Sequence, residues 1–190
     1  MTEPTDIETR FDAASFMAWY DFQPDGRRYE LLNSRVYEMQ RECVGHARAK
    51  GACYAALAGA VAASGLPCEV FADGMAVRLD DTTIFQPDVS VRCGARLPGE
   101  TVLILDPVIV VEVLSMISQP VDVFRKFNGY FRCASIVHYV IINSVDGDLV
   151  HHRRIADGRI VSAHFDTGIL LLDPPGLSLD LAEISERITF

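Results

Sequence analysis

The stretch that decides the fold is VIVVEVL, at residues 108–114. Apart from Glu112 it is wholly apolar and mostly β-branched, which is typical of a strand buried on both faces of a sheet. A charged carboxylate in such a strand is strongly destabilising unless it is paired or bound to a cation. The stretch therefore predicts a central strand. At Glu112 it predicts either a neutral or salt-bridged core side chain or a functional site.

A helix is predicted directly after the central strand, at residues 121–132. Its apolar residues recur at helical spacing, and Pro120 suits a first helical turn. Asp122, Lys126 and Tyr130 stand four residues apart, so they lie along one face of this helix. Asp122 and Lys126 could form only a surface ion pair, worth about 0.2–0.5 kcal/mol. The other interpretation is that this helix supplies a component of a functional site that includes Glu112.

The remaining elements follow from turn signals and periodicity. Further helices are predicted at residues 12–20 and 44–64, the second of which ends at the sequence Gly65-Leu66-Pro67. Strands are predicted at residues 29–32 and 35–39, joined by a turn at Asn33-Ser34, and at residues 69–72, 75–79, 88–93, 136–142, 149–153 and 159–165. This alternation predicts one α/β or α+β domain over residues 1–190, with about the first ten residues flexible.

The charge of the chain bears on its partners. A net charge of -9 argues against a protein that coats nucleic acid by bulk electrostatics, although cations bound at a metal site offset such charge locally. No apolar run reaches the roughly 18 residues of a membrane-spanning helix, and residues 1–11 are polar and acidic, unlike a signal peptide. We therefore expect a soluble, cytoplasmic protein with no membrane partner.

The five cysteines do not suggest a metal or disulfide framework. Their number is odd, they are widely separated, and they include no C-x-x-C pair. Free cysteines are common as small core hydrophobes. We expect most of them to have that role.

The strands after residue 149 carry the only noticeable basic cluster of the sequence, Arg153, Arg154 and Arg159. It could face a nucleic-acid backbone or protect an exposed hairpin edge. His151 and His152 are adjacent in a strand and point to opposite faces, so they do not form a paired ligand site.

A second acid, Asp88, follows Pro87 at the entrance to a predicted strand. Pro-Asp is common in turns, so a capping role for Asp88 is the alternative to a functional one. Asp88 and Glu112 together could supply the hard oxygen ligands that Mg²⁺ or Mn²⁺ requires. Lys126 could orient the attacking water while the cation stabilises negative charge on phosphoryl oxygens. These three residues are the candidate catalytic residues.

The order of these residues resembles the PD-(D/E)XK nuclease signature. More specifically, the whole chain resembles the Uma family of restriction-endonuclease-like proteins, formerly a domain of unknown function. The matching pieces are YELLNSRVYEM at 29–39, His46, QPDVSV at 86–91, VVEVLS at 110–115, Asp122, Lys126, Tyr130, and VHYVIIN at 137–143. The resemblance implies a curled mixed β-sheet flanked by helices, with additional N-terminal and C-terminal β-hairpins, and DNA as the substrate.

The resemblance also implies roles for particular residues. Asp88 and Glu112 would hold the metal, with Glu30 as a third acid. By strict spacing the lysine of the signature would fall at Leu114, so the basic role maps to Lys126 on the next helix.

Three further matching residues, His46, Asp122 and Tyr130, would bind substrate or support the site. A structural role at the helix start is the alternative for His46. The chain departs from the family pattern at residues 115–118, which read SMIS where Ser-Pro-Ser-Thr is usual, and at Asn143, where an acid is common.

Two functions fit these features. The first is a metal-dependent endonuclease that hydrolyses DNA phosphodiester bonds. The second is a catalytically inactive domain of the same fold that works as a binding or oligomerisation module, which the acidic charge favours. A homodimer is expected by analogy with relatives and because homo-oligomers are common.

Overall fold

The computed structural model describes residues 9–24, 26–114 and 120–189. Its helices are α1 (Ala13–Tyr20), α2 (Val44–Ser64), α3 (Pro120–Tyr130) and α4 (Leu181–Thr189). Its strands are β1 (Tyr29–Leu32), β2 (Arg35–Glu38), β3 (Cys68–Ala72), β4 (Ala76–Asp80), β5 (Thr83–Phe85), β6 (Val89–Cys93), β7 (Leu103–Ile104), β8 (Ile109–Leu114), β9 (His138–Asn143), β10 (Leu149–Arg154), β11 (Ile160–Phe165), β12 (Ile169–Leu172) and β13 (Leu177–Asp180). None of the described helices is long and apolar enough to cross a membrane.

The apolar stretch at residues 108–114 forms β8, in the interior of a six-stranded sheet with the order β11-β10-β9-β8-β6-β3. β8 runs parallel to β9 and antiparallel to β6. Val111 and Val113 pack on one face of the sheet, where α2, α4 and the small β12-β13 sheet cover the core. Val110 packs on the other face, with Tyr130 of α3. The predicted central strand, buried on both faces, is therefore confirmed.

The second sheet has five strands in the order β2-β1-β5-β4-β7. Its first hairpin turns at Asn33 and Ser34, whose φ angles of 49° and 65° are those of a tight turn between antiparallel strands. The predicted N-terminal hairpin is thus present. The predicted strands are divided between two sheets, because residues 76–80 pair with β5 and β7 rather than with the central strands.

The predicted helix boundaries agree closely with the structure. α1 begins after Asp12, whose carboxylate accepts a hydrogen bond from the backbone N–H of Ser15 at 2.8 Å. α2 ends at Gly65, which adopts the left-handed conformation that terminates many helices. Short strands such as β5 and β7 lacked a sequence signal of their own and were not predicted. α4 was not predicted either, although Leu181, Ile184 and Ile188 recur at helical spacing.

One cysteine pair differs from the expectation. Cys68 and Cys93 lie directly opposite each other on β3 and β6 and are joined in a disulfide. The expectation of free cysteines is wrong for this pair, because the strand register that brings them together is set by long-range pairing. Cys53 and Cys133 are buried as expected, whereas Cys43 is exposed.

Two of the three arginines of the predicted basic cluster, Arg154 and Arg159, are engaged in local structure. The guanidinium of Arg154 donates hydrogen bonds to the carbonyl oxygens of Phe131, Cys133 and Ile136, at 2.7, 3.2 and 3.2 Å. It therefore ties β10 to the end of α3. Arg159 pairs with Asp157 at 2.7 Å. For Arg154 the contacts support a structural role rather than a role in binding a nucleic-acid backbone.

Two histidines form a buried pair between β9 and β10. His138 Nε2 donates to the carbonyl oxygen of Pro174 at 2.8 Å, so His138 Nδ1 accepts from His151 Nε2, also at 2.8 Å. Burial lowers the pKa of both rings to about 4, and the neighbouring His138 adds to the effect on His151. His152 packs instead against Phe127, which confirms that the two adjacent histidines point to opposite faces.

Lowering the pH should destabilise the fold through this pair. Unfolded histidines titrate near a pKa of about 6.5, whereas the folded pair does so near 4. Below pH 6.5 the unfolded chain therefore binds protons that the folded chain does not, and the free energy of unfolding falls between about pH 6.5 and 4. Urea denaturation of His151→Gln should show a shallower pH dependence in this window than the wild type. An unchanged pH dependence would exclude the His138–His151 pair as the cause of the destabilisation. His164→Gln is the control, because His164 is exposed.

Gly129 allows α3 to pack closely on the five-stranded sheet. A Cβ built on Gly129 would overlap the aromatic ring of Phe85, which is itself completely buried. The same ring lies edge-on to Tyr130, with ring centroids 5.3 Å apart. The glycine therefore sets how close α3, with Lys126 and Tyr130, approaches the rest of the protein.

Gly129→Ala should lower the free energy of unfolding by about 1–2 kcal/mol, because overpacking against Phe85 outweighs the better helix propensity of alanine. Gly51→Ala in α2 is the matched control, since nothing lies within 4 Å of its Cβ position. It should stabilise the protein by up to about 1 kcal/mol. Chemical denaturation measures both. Equal effects of the two substitutions would show that the contact with Phe85 imposes no constraint.

Candidate functional site

The two predicted acids lie next to each other in the six-stranded sheet. Val89 pairs with Val111 in the antiparallel register of β6 and β8, and continuing this register by one residue sets Asp88 opposite Glu112. Asp88 Oδ2 accepts a hydrogen bond from the backbone N–H of Val113 at 2.7 Å. Both acids are buried, with 5% and 7% of their surface exposed. The strand pair itself thus positions the two carboxylates.

α3 brings Lys126 and Tyr130 to Glu112. Lys126 Nζ lies 2.7 Å from Glu112 Oε1 and 3.2 Å from Glu30 Oε1. The Tyr130 hydroxyl donates a hydrogen bond to the same oxygen of Glu112. The four-residue spacing on one helix face accounts for this arrangement. The structure therefore brings together Glu30, Glu112, Lys126 and Tyr130.

Glu30 approaches from β1 and is completely buried. Its Oε1 accepts the backbone N–H of Gln86 at 2.8 Å, whereas its Oε2 is buried without a hydrogen-bond partner among the described residues. A buried carboxylate oxygen without a partner is costly. Next to a second buried carboxylate, it creates an environment that a cation would stabilise.

The electrostatics of this group separate the roles of its members. Burial raises the pKa of Glu112 to about 7 against the opposing effect of Lys126, and the nearby charges of Asp88 and Glu30 contribute in the same direction as burial. Burial alone would lower the pKa of Lys126, but Glu112 and Glu30 outweigh it and raise that pKa above its usual value. Burial also raises the pKa of Tyr130. Lys126 is thus a permanent cation at neutral pH, and Tyr130 a neutral hydrogen-bond donor.

His46, in the first turn of α2, reaches the other side of Asp88. Its Nε2 lies 3.1 Å from the carbonyl oxygen of Val113 and 3.4 Å from Asp88 Oδ2. Although burial acts against both charges, this contact lowers the pKa of Asp88 and raises that of His46. The structure thus connects His46 directly to a predicted metal ligand.

Glu42 completes a group that could hold a metal ion. Its Oε2 lies 3.7 Å from His46 Nδ1, and ligand atoms of Glu42, His46 and Asp88 all lie within 4.8 Å of one another. Among the described residues, Glu30 and Glu112 are not part of such a group. The predicted acids are therefore adjacent, but the tightest set of metal-ligand atoms around Asp88 involves α2.

A charged network surrounds Glu42. Lys50 Nζ lies 2.7 and 2.6 Å from its two carboxylate oxygens and 3.0 Å from Asp73 Oδ2. Arg28 Nη1 lies 3.0 Å from Glu42 Oε1, and Arg28 Nε donates to Gln86 Oε1 at 3.2 Å. These contacts link the two halves of the site through Gln86, whose backbone binds Glu30.

Sequence reasoning missed Glu42, Lys50 and Gln86. A signal for the first two was present, because Glu42, His46 and Lys50 follow the same four-residue spacing as the residues of α3. Nothing in the sequence distinguished this spacing from a solvated helix face.

Two predicted features lie at the edge of the site. Asp122 is buried one turn before Lys126, with its Oδ1 4.0 Å from Arg125 Nη1. Lys126 pairs with Glu112 and Glu30 instead, so the surface ion pair considered for the helix face does not account for its position. The unusual SMIS sequence at residues 115–118 lies outside the described residues.

Comparisons with known proteins agree with this fold. The family model described as "Uma2: Putative restriction endonuclease" matches residues 13–182. The crystal structure of a putative nuclease belonging to DUF820 from Anabaena variabilis ATCC 29413 has a TM-score of 0.74 and 14% sequence identity, and the match covers 90% of this chain and 96% of that one. At this identity the likeness shows the fold alone, and it confirms the predicted mixed α and β class. No curated protein matches the chain. Because the family model spans most of its length, the chain belongs to the Uma2 family of restriction-endonuclease-like proteins.

Proposed function

We propose that the protein is a metal-dependent endonuclease that hydrolyses DNA phosphodiester bonds. The observation that carries this proposal is the pairing of two buried acids, Asp88 and Glu112, on neighbouring strands, with the permanent cation Lys126 held 2.7 Å from Glu112. Membership of a restriction-endonuclease-like family supports a nucleic-acid substrate. Buried acids with perturbed pKa values beside a fixed cation are more common at functional sites than elsewhere in proteins.

The residues present fit a divalent cation. Asp88 and Glu112, assisted by Glu30, would hold Mg²⁺ or Mn²⁺ through carboxylate oxygens, the ligands that these ions prefer. Glu30 Oε2 accepts no hydrogen bond from any described residue, so it is available as a ligand atom. When bound, the cation would stabilise negative charge on the phosphoryl oxygens and activate water.

The protein's own groups have separate tasks in this proposal. Lys126 stays protonated at neutral pH, so it orients the attacking water and offsets phosphate charge by donating hydrogen bonds rather than by accepting a proton. Tyr130 fixes one oxygen of Glu112. The backbone N–H of Val113 and the ring of His46 fix Asp88. The site is therefore oriented before any substrate arrives.

A second candidate function is a catalytically inactive domain that acts as a binding or oligomerisation module, for example as a homodimer. One observation favours it. Lys126 already contacts both Glu30 and Glu112, which makes the buried group a salt-bridged network that is partly neutralised without a metal. The two candidates differ in whether the chain cleaves DNA.

Asp88→Asn and Lys126→Met should each reduce DNA cleavage by roughly 100-fold or more, because each removes a preorganised charge from the reacting centre. Cleavage of plasmid DNA in Mg²⁺ or Mn²⁺ measures this effect, and circular dichroism confirms that each variant is folded. Asp106→Asn is the control, since Asp106 is exposed and pairs with Arg92 away from the site.

Cleavage at the wild-type rate by folded Asp88→Asn would refute the assignment. Absence of cleavage by the wild type, on supercoiled, linear and single-stranded DNA, would favour the binding module.

A further inference from the structure

We propose that Glu42, His46 and Asp88 form a second divalent-cation site, with one histidine nitrogen among its ligands. The inference rests on the proposed function because Asp88 is shared between this site and the Asp88/Glu112 site. It adds two ligands, His46 in the first turn of α2 and Glu42 just before the helix, and a preference among metal ions. Its evidence is the geometry, the hydrogen bonding of His46 and the charge of the surrounding network.

The geometry is close to that of a bound ion. The ligand atoms of the three residues lie within 4.8 Å of one another. Two ligand atoms on opposite sides of a small divalent cation are about 4.2 Å apart, from metal–ligand distances of roughly 2.1 Å. Three ligands of one ion cannot all lie opposite one another, and neighbouring ligands are about 3.0–3.6 Å apart at the same metal–ligand distances. The side chains would therefore need to close by up to about 1–2 Å, which rotamer adjustment at the surface residue Glu42 can supply.

The hydrogen bonding of His46 directs a lone pair into this site. A carbonyl oxygen only accepts, so the contact with Val113 O places a proton on His46 Nε2. In the neutral ring, Nδ1 then carries a lone pair. Nδ1 is buried without a hydrogen-bond partner among the described residues, 3.7 Å from Glu42 Oε2, which is beyond hydrogen-bond reach. With the ring neutral, as a metal ligand must be, an electron-rich nitrogen and a carboxylate oxygen would face each other, and a cation between them would stabilise both.

The other ring nitrogen has the environment of a metal-bound histidine. Histidine ligands almost always donate their second N–H to a backbone carbonyl or a carboxylate, which fixes the tautomer and the ring orientation. His46 Nε2 lies within reach of one of each, Val113 O and Asp88 Oδ2. The ring is therefore held in the orientation that a ligand at Nδ1 requires.

The charge of the connected network leaves room for a divalent cation. Contacts in the structure link five carboxylates to three cationic side chains. With all five carboxylates ionised and His46 neutral, two negative charges remain in excess. The carboxylates are Glu30, Glu42, Asp73, Asp88 and Glu112, and the cations are Arg28, Lys50 and Lys126. One divalent cation would balance this excess.

The donor set predicts which ions bind. Carboxylates suit Mg²⁺ and Mn²⁺, whereas imidazole suits the ions of iron, nickel, copper and zinc. A site with two carboxylates and one imidazole should therefore take Mn²⁺ or Zn²⁺ in preference to Mg²⁺. Lys50 opposes binding, because its Nζ lies 2.6 Å from Glu42 Oε2, the oxygen that faces His46.

The test is a titration of the full chain with Mn²⁺ in the absence of nucleic acid. Calorimetry measures the number of sites and their affinity, and electron spin echo spectroscopy detects ¹⁴N coupling to the bound Mn²⁺, which reports a nitrogen ligand. Glu112→Gln should keep one Mn²⁺ site with ¹⁴N coupling, because it leaves the proposed ligands intact. His46→Gln should lose the coupling and bind at this site at least about tenfold more weakly, and Glu42→Gln should also weaken binding at least about tenfold. His164→Gln is the control, since His164 also lies beside an acid, Asp148, at 3.4 Å, but is exposed.

Lys50→Met provides a variant whose expected effect is a gain. Removing the competing ammonium should tighten Mn²⁺ binding, a result that misfolding does not produce. Circular dichroism checks the fold of every variant. If His46→Gln does not fold, two other results test the proposed site. Retained ¹⁴N coupling in Glu112→Gln and tighter Mn²⁺ binding by Lys50→Met would support it, and the absence of both would overturn it.

The outcomes separate this inference from the proposed function. Mn²⁺ binding with ¹⁴N coupling in a protein that cleaves no DNA would support the second site and refute the nuclease. Cleavage that depends on Asp88 and Glu112, with no ¹⁴N coupling and no effect of His46→Gln on Mn²⁺ binding, would overturn the inference and leave the nuclease. Absence of Mn²⁺ binding in the wild type would overturn the inference.

Discussion

The buried contact between Glu112 and Lys126 constrains the rest of the structure. Glu112 lies in the middle of an apolar strand, where an isolated charge would be severely destabilising. Its stabilisation requires a cation from the opposite layer, and Lys126 supplies it at 2.7 Å. α3 must therefore approach β8 closely at Lys126 and Tyr130. The glycine at residue 129 permits this approach, and Phe85, Tyr130 and Glu30 are arranged around it.

The same contact divides the site into two parts with different electrostatics. On the α3 side, a single cation, Lys126, contacts the two carboxylates of Glu112 and Glu30. On the α2 side, Lys50 and Arg28 hold Glu42 and Asp73, while Asp88 faces a histidine. Asp88 lies between the two parts. Because its carboxylate is fixed by a backbone N–H and by His46, a change of charge on one side should be felt on the other through Asp88.

The sequence predicted those parts of the site in which a local sequence pattern also indicates that the residue is buried. An acid in an apolar strand was enough to indicate Glu112. The four-residue spacing on the following helix fitted a surface ion pair equally well, so the assignment of Lys126 and Tyr130 to the site rested on the family resemblance. The division of strands between two sheets, the Cys68–Cys93 disulfide and the contact of Gln86 with Glu30 depend on long-range register, which no local pattern encodes. Glu42 and Lys50 had a periodic signal, but the same spacing occurs on ordinary solvated helices, and only the structure shows Lys50 buried.

The acidity of the chain is compatible with a nuclease only if divalent cations bind to the protein before the nucleic acid does. A net charge of -9 repels a polyanionic backbone, and in the network around Asp88 the carboxylates outnumber the lysine and arginine side chains where a phosphate would have to approach. Phosphate binding elsewhere is driven by clustered lysine and arginine, but Arg154 is used for backbone contacts within the fold. In this protein, bound divalent cations would have to provide the attraction as well as the chemistry. Substrate affinity would then follow the occupancy of the metal sites rather than the surface charge.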